Sequence, residues 1–426
     1  MHRDRSWLST VLDHEYWTTA WVEPRAYSTA PTSYQQGQTV YGLGMNELQR
    51  LRTLDSAKWT RYGPDVLPAW VADMDFDQAP AIKAAIDSVV RRGDLGYNFA
   101  ALEPLAETWL SWVERRHGLR LTDDTDEIWT FTGALHALEL TMELHTDPGD
   151  GIVVFSPIYH PFRHAISDSG RRMVDVPLAD GKYLDAVRFD AACDDRTRMV
   201  LFSQPHNPVG RVFTTDELRG FADVAESRDL LVISDEVWAD LVYAPHRHLP
   251  PVLADERLRE RTITIGSASK AFNVAGLSCA LAHVGSPTVR ERLRALSHHA
   301  HGRPSSLSAA GTMAAWTESE DWLTETMRTL TVRRDHVAAR LAADVPEVGF
   351  EPPEATYLAW LDLRDTSLGD DPAKTLLDHV GVAIDPGLQF GDQAAGWARL
   401  NFATTEEILD EILDRIIRAI KDGVTP

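Results

Sequence analysis

Residues 199–236 read MVLFSQPHNPVGRVFTTDELRGFADVAESRDLLVISDE. The segment begins with an apolar run at 199–202, passes through a Pro- and Gly-containing turn into a predicted helix at 215–227, and ends with a second apolar run at 230–234. Nearly continuous apolar strands joined by a helix are typical of parallel strands covered on both faces. The segment therefore predicts one βαβ unit of an α/β sheet.

The same alternation extends in both directions along the chain. Further strands are predicted at residues 128–131, 152–155, 172–176, 262–266 and 278–284, and early helices at 79–92 and 101–117. After about residue 287 long helices follow, and then a small α+β part with strands at 357–363 and 397–402 and helices at 372–379 and from 405. The pattern predicts an α/β protein with a large doubly wound sheet domain and a small α+β domain.

Four regions follow from this pattern. Residues 1–44 are predicted as an N-terminal extension outside the core, because 28–44 are polar and poor in aliphatic side chains. Leu48, Leu51 and Leu54, at a spacing of three, predict a helix that begins near Met45. We predict that 45–92 contribute to the small domain, that 93–300 form the large domain, and that 301–426 form the small C-terminal domain.

Composition excludes several classes of protein. The 426 residues are 44% hydrophobic and 25% charged, which is usual for a globular chain. The net charge of −22 disfavours binding to nucleic acid or to an anionic membrane. Cys193 and Cys279 are too few for a disulfide framework, and no apolar run approaches 18 residues, so a cytoplasmic location is predicted.

The residues that follow the predicted strands carry the chemistry. Ligands of open α/β sheets bind at the carboxyl ends of the strands. The sequence has no G-x-G-x-x-G motif, no Walker motif and no H-E-x-x-H motif, so nucleotide and metal sites are disfavoured. The side chains and backbone groups that do follow strands are Gly133, Ala134, Tyr159, Asn207, Asp235, Ser267, Ser269 and Lys270.

This set suits a pyridine aldehyde that carries a phosphate. Such a cofactor needs an unprotonated lysine to bond its aldehyde and a carboxylate to keep its ring nitrogen protonated. It also needs an aromatic face, a donor to the ring oxygen, and hydroxyls with a helix N-terminus for the phosphate. Lys270 and Asp235 fill the first two needs.

Six motifs carry a family resemblance. They are LPAWVADMDF (67–76), QPHNPVGRVFT (204–214), SDEVWADLVY (234–243), SASKAFNVAGL (267–277), ATYLAWLDLR (355–364) and GLQFGDQAAGWARLNFA (387–403). In this order they resemble the pyridoxal 5'-phosphate enzymes of fold type I, in the aminotransferase class I/II superfamily. The match is to the branch of cystathionine β-lyases and cysteine-S-conjugate C–S lyases.

The resemblance implies a role for each matching residue. Lys270 would bond the cofactor and move protons, Asp235 would pair with the ring nitrogen, Asn207 would donate to the ring oxygen, and Tyr159 would stack on the ring. The phosphate would be held by Gly133, Ala134, Leu135, Ser267 and Ser269, and by Tyr97 from a neighbouring subunit of a homodimer. Arg399 would bind the substrate carboxylate.

Two positions depart from the family pattern. Ser278 stands where aminotransferases commonly carry a basic phosphate ligand, which favours the lyase branch. Trp238 stands where the lyase branch usually has His, and its indole can only donate a hydrogen bond. We expect Trp238 to contact substrate and to alter specificity.

The predicted activity is β-elimination from a cysteine S-conjugate, such as cystathionine or a larger thioether, to a thiol, pyruvate and ammonia. Three alternatives stay open on the sequence. They are an aminotransferase, an enzyme that decarboxylates or oxidatively deaminates an S-conjugated cysteine, and a regulatory binding protein on a lyase fold.

Overall fold

The computed structural model describes residues 47–297 and 300–424. Residues 47–64 form a separate unit with two short helices, α1 (Glu47–Leu51) and α2 (Ala57–Thr60). The predicted extension, residues 1–44, and Met45 lie outside the described residues. The helix predicted through Leu54 is wrong at its end, because the Leu54 N–H donates to Leu51 O and closes a tight turn after α1.

Within the larger unit, which begins at Asp65, seven described strands form one sheet. They are β2 (Ile128–Phe131), β3 (Gly151–Ser156), β4 (Arg172–Pro177), β5 (Thr197–Ser203), β6 (Leu231–Asp235), β7 (Thr262–Gly266) and β8 (Ala280–Val284). Their order is β2-β8-β7-β6-β5-β3-β4. The pairs from β4 to β7 are parallel, and β8 runs antiparallel to β7 and β2. The predicted α/β fold with a mainly parallel sheet is confirmed.

Helices cover both faces of this sheet. On β3, Val154 packs into a cluster with residues of α5 (Ala134–His145), α6 (His160–Asp168) and α10 (Pro287–Ala295). The next residue, Phe155, points the other way, because side chains alternate along a strand. Its ring lies 5.2 Å from that of Phe189 in α7 (Ala186–Ala192) and 6.0 Å from that of Phe221 in α8 (Thr215–Ser227). Alternating apolar residues explain the two-sided core.

The remaining helices of this part are α3 (Pro80–Arg92), α4 (Phe99–His117), α9 (Pro251–Ala254), α11 (Ser306–Glu318) and α12 (Glu320–Asp344). Helix α11 packs against α3 and α4. Helices α3 and α4 each begin within two residues of the predicted starts. Within the described residues, no helix is long and apolar enough to cross a membrane.

A small antiparallel sheet is formed by strands that follow the large sheet in the sequence. It consists of β9 (Leu358–Asp362), β12 (Trp397–Asn401) and β11 (Asp385–Pro386), with β12 in the middle, and a parallel pair joins β1 (Leu67–Pro68) to β10 (Val382–Ala383). Helices α13 (Pro372–Val380) and α14 (Glu406–Lys421) complete this part. The domain boundaries proposed from the sequence stay predictions.

Candidate active site

The carboxyl ends of β5, β6 and β7 meet at one edge of the large sheet. Ser203, the last residue of β5, is opposite Asp235, and Asp235 is opposite Ile265 of β7. Parallel neighbours end on the same side, so the segments that follow these strands converge. Asp235 is the last residue of β6, and the segments after β5 and β7 carry Asn207 and Lys270.

Lys270 has a sheltered ammonium group. Its Nζ donates to Ala72 O at 3.1 Å and lies 5.8 Å from the centre of the Trp238 ring. Burial lowers the pKa of Lys270; the nearby charge of Asp73 opposes this shift and that of Arg399 adds to it. A lowered pKa raises the fraction of unprotonated amine near neutral pH, as a nucleophilic or basic lysine requires.

Asp235 is a buried carboxylate that accepts a hydrogen bond from the backbone. Its Oδ1 accepts the Val237 N–H at 3.2 Å. Burial raises the pKa of Asp235 to about 6, although the charge of Lys270 works against this. A protonated ring nitrogen beside this carboxylate would supply a positive charge that stabilises its ionised form.

Arg399 lies opposite Trp360 on the small sheet and is only 2% exposed. Its Nη1 donates to Asn207 Oδ1 at 3.0 Å, and its Nη2 donates to Trp70 O at 3.2 Å and to Asp385 Oδ2. The guanidinium also lies 4.8 Å from the centre of the Phe390 ring. Because its oxygen accepts from Arg399, the Asn207 amide has its nitrogen left to donate elsewhere.

Tyr159 stands at the start of α6, with its ring 5.7 Å from that of Phe162. Burial raises the pKa of Tyr159 to about 12, and the charges of Arg399, Asp235 and Asp385 all act on it. Tyr159 is therefore a neutral aromatic side chain on which the charges of Arg399 and Asp235 act.

The predicted phosphate residues form two groups. Gly133 precedes α5, so the N–H groups of Ala134 and Leu135 lie in its first turn, where helical N–H groups lack intrahelical partners. Helix α5 packs against β6 and β7. Ser269 follows β7, and its N–H donates to Ser267 Oγ at 3.1 Å. Ser267 Oγ in turn donates to Cys279 O at 2.7 Å. The donors left for an anionic group near the ends of the two strands are therefore the first-turn N–H groups of α5 and the Ser269 hydroxyl.

Trp238 is buried against Tyr357, the residue before β9. The two rings meet edge to face with centres 4.9 Å apart, and the Tyr357 hydroxyl donates to Ala72 O at 2.8 Å. Ala72 O therefore accepts from both Lys270 and Tyr357. Tyr357 was not among the predicted site residues, although it lies in the motif ATYLAWLDLR.

Residues 70–76, which we call the 70–76 segment, contact both Lys270 and Arg399 through their backbone carbonyl groups. Asn401 Nδ2 donates to Val71 O and Asp73 O, each at 2.7 Å. Asn273 Nδ2 donates to Met74 O at 2.9 Å, and Asn273 Oδ1 accepts the Met74 N–H at 3.0 Å. The segment lies in the motif LPAWVADMDF, but Asp73, whose charge acts on Lys270, was not among the predicted site residues.

Tyr97 lies apart from these site residues within one chain. It is 98% exposed, and its ring lies 6.4 Å from that of Phe99. Its predicted role in a neighbouring subunit's site therefore stays a prediction.

Comparison with known proteins identifies the class. A model of the aminotransferase class I and II family matches residues 71–416. The chain belongs to this family, which confirms the resemblance drawn from the six motifs.

Particular relatives are lyases by name. A cystathionine β-lyase of Corynebacterium glutamicum is 33% identical over 370 residues, which covers 87% of this chain and 98% of the relative. Cystalysin of Treponema denticola, crystallised with pyridoxal 5'-phosphate, superposes with a TM-score of 0.81 at 28% identity, covering 86% of this chain and 96% of cystalysin. The PLP-bound C–S lyase of Staphylococcus hominis gives a TM-score of 0.80 at 28% identity, with the same 86% and 96% coverage.

The site residues fit pyridoxal 5'-phosphate on physical grounds. Lys270 offers an amine with a lowered pKa, and Asp235 offers a buried carboxylate in need of a cation. Neither feature stabilises the chain by itself, since each buries an ionisable group at a free-energy cost. Both are accounted for by a bound group that carries an aldehyde and a ring nitrogen.

Proposed function

We propose that this chain is a pyridoxal 5'-phosphate-dependent carbon–sulfur lyase that cleaves cysteine S-conjugates. The named activities of its relatives, cystathionine β-lyase and C–S lyase, support this proposal. The observation that carries it is the position of Lys270, whose amine of lowered pKa is subject to the charges of both Asp235 and Arg399. Such an amine can exchange a proton with a substrate whose carboxylate binds Arg399.

Different residues of the site would hold the aldehyde, the ring and the phosphate of the cofactor. Lys270 would bond its aldehyde, Asp235 would pair with its ring nitrogen, Asn207 would donate to its ring oxygen and Tyr159 would cover its ring. Its phosphate would be held by Gly133, Ala134, Leu135, Ser267 and Ser269. When bound, the cofactor supplies an electron sink that stabilises negative charge at the substrate Cα.

The side chains divide the reaction between them. Arg399 fixes the substrate α-carboxylate and thereby the direction of the Cα–H bond. Lys270 accepts the α-proton, and general-base catalysis of this kind contributes about 10² to 10⁴ in rate. The C–S bond then breaks and the thiolate leaves with the bonding electron pair. In sum, a cysteine S-conjugate and one water give a thiol, pyruvate and ammonia.

Trp238 and Tyr357 form the aromatic wall beside Lys270, and we assign to Trp238 a part in choosing the sulfur substituent. Its buried ring leaves less polar surroundings than the His usual at this position. We also propose a homodimer in which Tyr97 reaches the partner's phosphate, and a cytoplasmic location. The free thiols of Cys193 and Cys279 support a reducing compartment.

The test is product analysis on cofactor-loaded protein with a panel of cysteine S-conjugates and no keto acid. We expect pyruvate, ammonia and thiol in equal amounts, and loss of all three in Lys270→Ala. Lys182→Ala is the matched control, because Lys182 forms an ion pair with Glu351. Turnover only after addition of a keto acid would indicate an aminotransferase, and carbon dioxide release would indicate decarboxylation. Binding without turnover would indicate a regulatory protein.

A further inference from the structure

The positive charge of Arg399 is already paired within the chain. Asp385 Oδ2 accepts from Arg399 Nη2, and the two side chains are 8% and 3% exposed. Asp385 lies opposite Arg399 in the pairing of β11 with β12, so neighbouring strands hold the pair together. The arginine assigned to the substrate carboxylate thus already has a carboxylate partner.

The N–H groups of Arg399 can be counted. Nη2 has two hydrogens, and its two acceptors are Trp70 O and Asp385 Oδ2. Nη1 donates to Asn207, and Nε has no partner among the described residues. A carboxylate that binds a guanidinium through two parallel bonds uses Nη2 together with either Nη1 or Nε. A substrate carboxylate can therefore bind in this way only by displacing Trp70 O or Asp385.

Asp385 is the partner that carries charge. A second carboxylate beside it would place two anions on one buried cation, which is unfavourable in a cavity of low dielectric constant. Trp70 O is a neutral acceptor in the 70–76 segment, which Asn401 and Asn273 hold in place. Displacing Asp385 relieves the repulsion between the anions, whereas displacing Trp70 O does not.

We propose that Asp385 is a specificity-determining residue that competes with the substrate α-carboxylate for Arg399. This inference rests on the role of Arg399 in the proposed function. Asp385 keeps the guanidinium oriented and neutralised in the free enzyme, and it weakens the binding of every carboxylate ligand by the same competition. Only ligands with additional contacts, such as an amine that reaches the cofactor, then bind well. The site thereby discriminates against simple carboxylic acids.

The test compares a carboxylic acid with its amide on the cofactor-loaded protein. The probes are 3-(methylthio)propanoate and 3-(methylthio)propanamide, which lack the amine and cannot react, and the readout is the Kd from calorimetry. In Asp385→Asn, which keeps an acceptor for Nη2 but removes the charge, we expect the Kd of the acid to fall about tenfold or more. The Kd of the amide stays within about twofold, since a neutral ligand does not compete for charge.

Two further variants guard this result. Asp385→Ser removes the same charge with a smaller side chain and serves if Asp385→Asn does not fold. Asp362→Asn removes one charge from the neighbouring strand, where Asp362 pairs with Arg364, and is expected to leave both Kd values unchanged. An unchanged or larger Kd of the acid in both Asp385 variants, or equal shifts for acid and amide, would overturn the proposal.

Failure of this inference is distinguishable from failure of the proposed function. Calorimetry reports the competition whether or not any conjugate is cleaved. A protein that forms no pyruvate but binds the acid more tightly after Asp385→Asn would retain this inference and lose the lyase activity. A protein that forms pyruvate but shows no change in Kd would do the reverse.

Discussion

The Nζ of Lys270 lies 5.8 Å from the centre of the Trp238 ring, within reach of a cation–π contact. The same ring is buried against Tyr357, so it also keeps water from that side of the amine. Trp238 therefore influences Lys270 in two opposite ways. The contact favours the ammonium form, whereas the exclusion of water disfavours it, and burial is the larger influence on the pKa of Lys270.

Opening this wall is expected to raise the pKa of Lys270. In Trp238→Ala, water solvates the ammonium, so a smaller fraction of the amine is unprotonated at pH 7. A rise of one unit in the pKa lowers that fraction about tenfold. We expect slower uptake of pyridoxal phosphate by the cofactor-free protein and a midpoint at higher pH, measured by the visible absorbance of the bound cofactor. Trp238→Phe keeps an apolar ring and serves as control; identical midpoints in all three proteins would contradict this role.

Removing the Asp235 charge is expected to stabilise the cofactor-free protein. The carboxyl has a pKa of about 6 when folded and an ordinary value of 3.8, so the unfolded chain loses its proton first. Stability therefore falls as pH rises between these two values and stays low above them. At pH 7, Asp235→Asn should unfold at higher urea concentration, by about 1 to 3 kcal/mol in free energy, and the difference should shrink toward pH 4.5.

The control for Asp235→Asn is Asp362→Asn, which is expected to change the free energy of unfolding in the opposite direction. The bonds that Asp362 accepts from Arg364 outweigh the effect of burial and leave its pKa below the ordinary value. Asp362→Asn should therefore lose stability at pH 7. Loss of stability in both variants would show that Asp235 is already compensated in the free chain.

Replacing Arg399 with lysine should weaken substrate binding. A single ammonium cannot reproduce the planar set of bonds to Asn207 and Trp70 together with the two bonds to a substrate carboxylate. Loss of one charge-assisted hydrogen bond predicts a KM about tenfold to a hundredfold higher for a cysteine S-conjugate. Steady-state kinetics measures this change, and Arg364→Lys on the exposed pair with Asp362 is the control. A KM within about twofold of the parent in Arg399→Lys would remove Arg399 from the carboxylate site.

Gly210 holds the turn that follows Asn207. Its φ is +74°, and a Cβ there would meet Pro353 Cβ at 2.4 Å and Ala355 O at 2.9 Å. Gly210→Ala should lower the free energy of unfolding by about 2 to 4 kcal/mol and weaken cofactor retention, as measured by urea unfolding and dialysis. Gly276→Ala, where no atom lies within 4 Å of the added Cβ, is expected to change neither.

The parts of the fold that depend on local pattern were predictable. The strand at 262–266 and the helix at 215–227 match Thr262–Gly266 and Thr215–Ser227, because an apolar run defines the first and a capping box defines the start of the second. The strand predicted from residue 278 begins instead at Ala280. Ser278 has a left-handed backbone with φ of +49°, which ends a short turn and cannot continue a strand.

In the site, too, the residues marked by a local sequence pattern were predictable and the others were not. Asn207, Asp235 and Lys270 could be predicted to meet, because parallel strands place their carboxyl ends together. Asp385, Asp73 and Tyr357 could not, because each contacts the site from a segment far away in sequence. No local pattern marks the pairing of Asp385 with Arg399, which arises from the register of two short antiparallel strands.

The 70–76 segment has a consequence for the length of the substrate. It is bonded on one side by Asn273, three residues after Lys270, and on the other by Asn401, two residues after Arg399. One stretch of backbone therefore sets the span between the amine of Lys270 and the guanidinium of Arg399. A fixed span of this kind suits one spacing between the amine and the carboxylate of a ligand, so a ligand with one more methylene between these groups is expected to bind less tightly. The 70–76 segment therefore selects ligands by the distance between their amine and their carboxylate at the binding step.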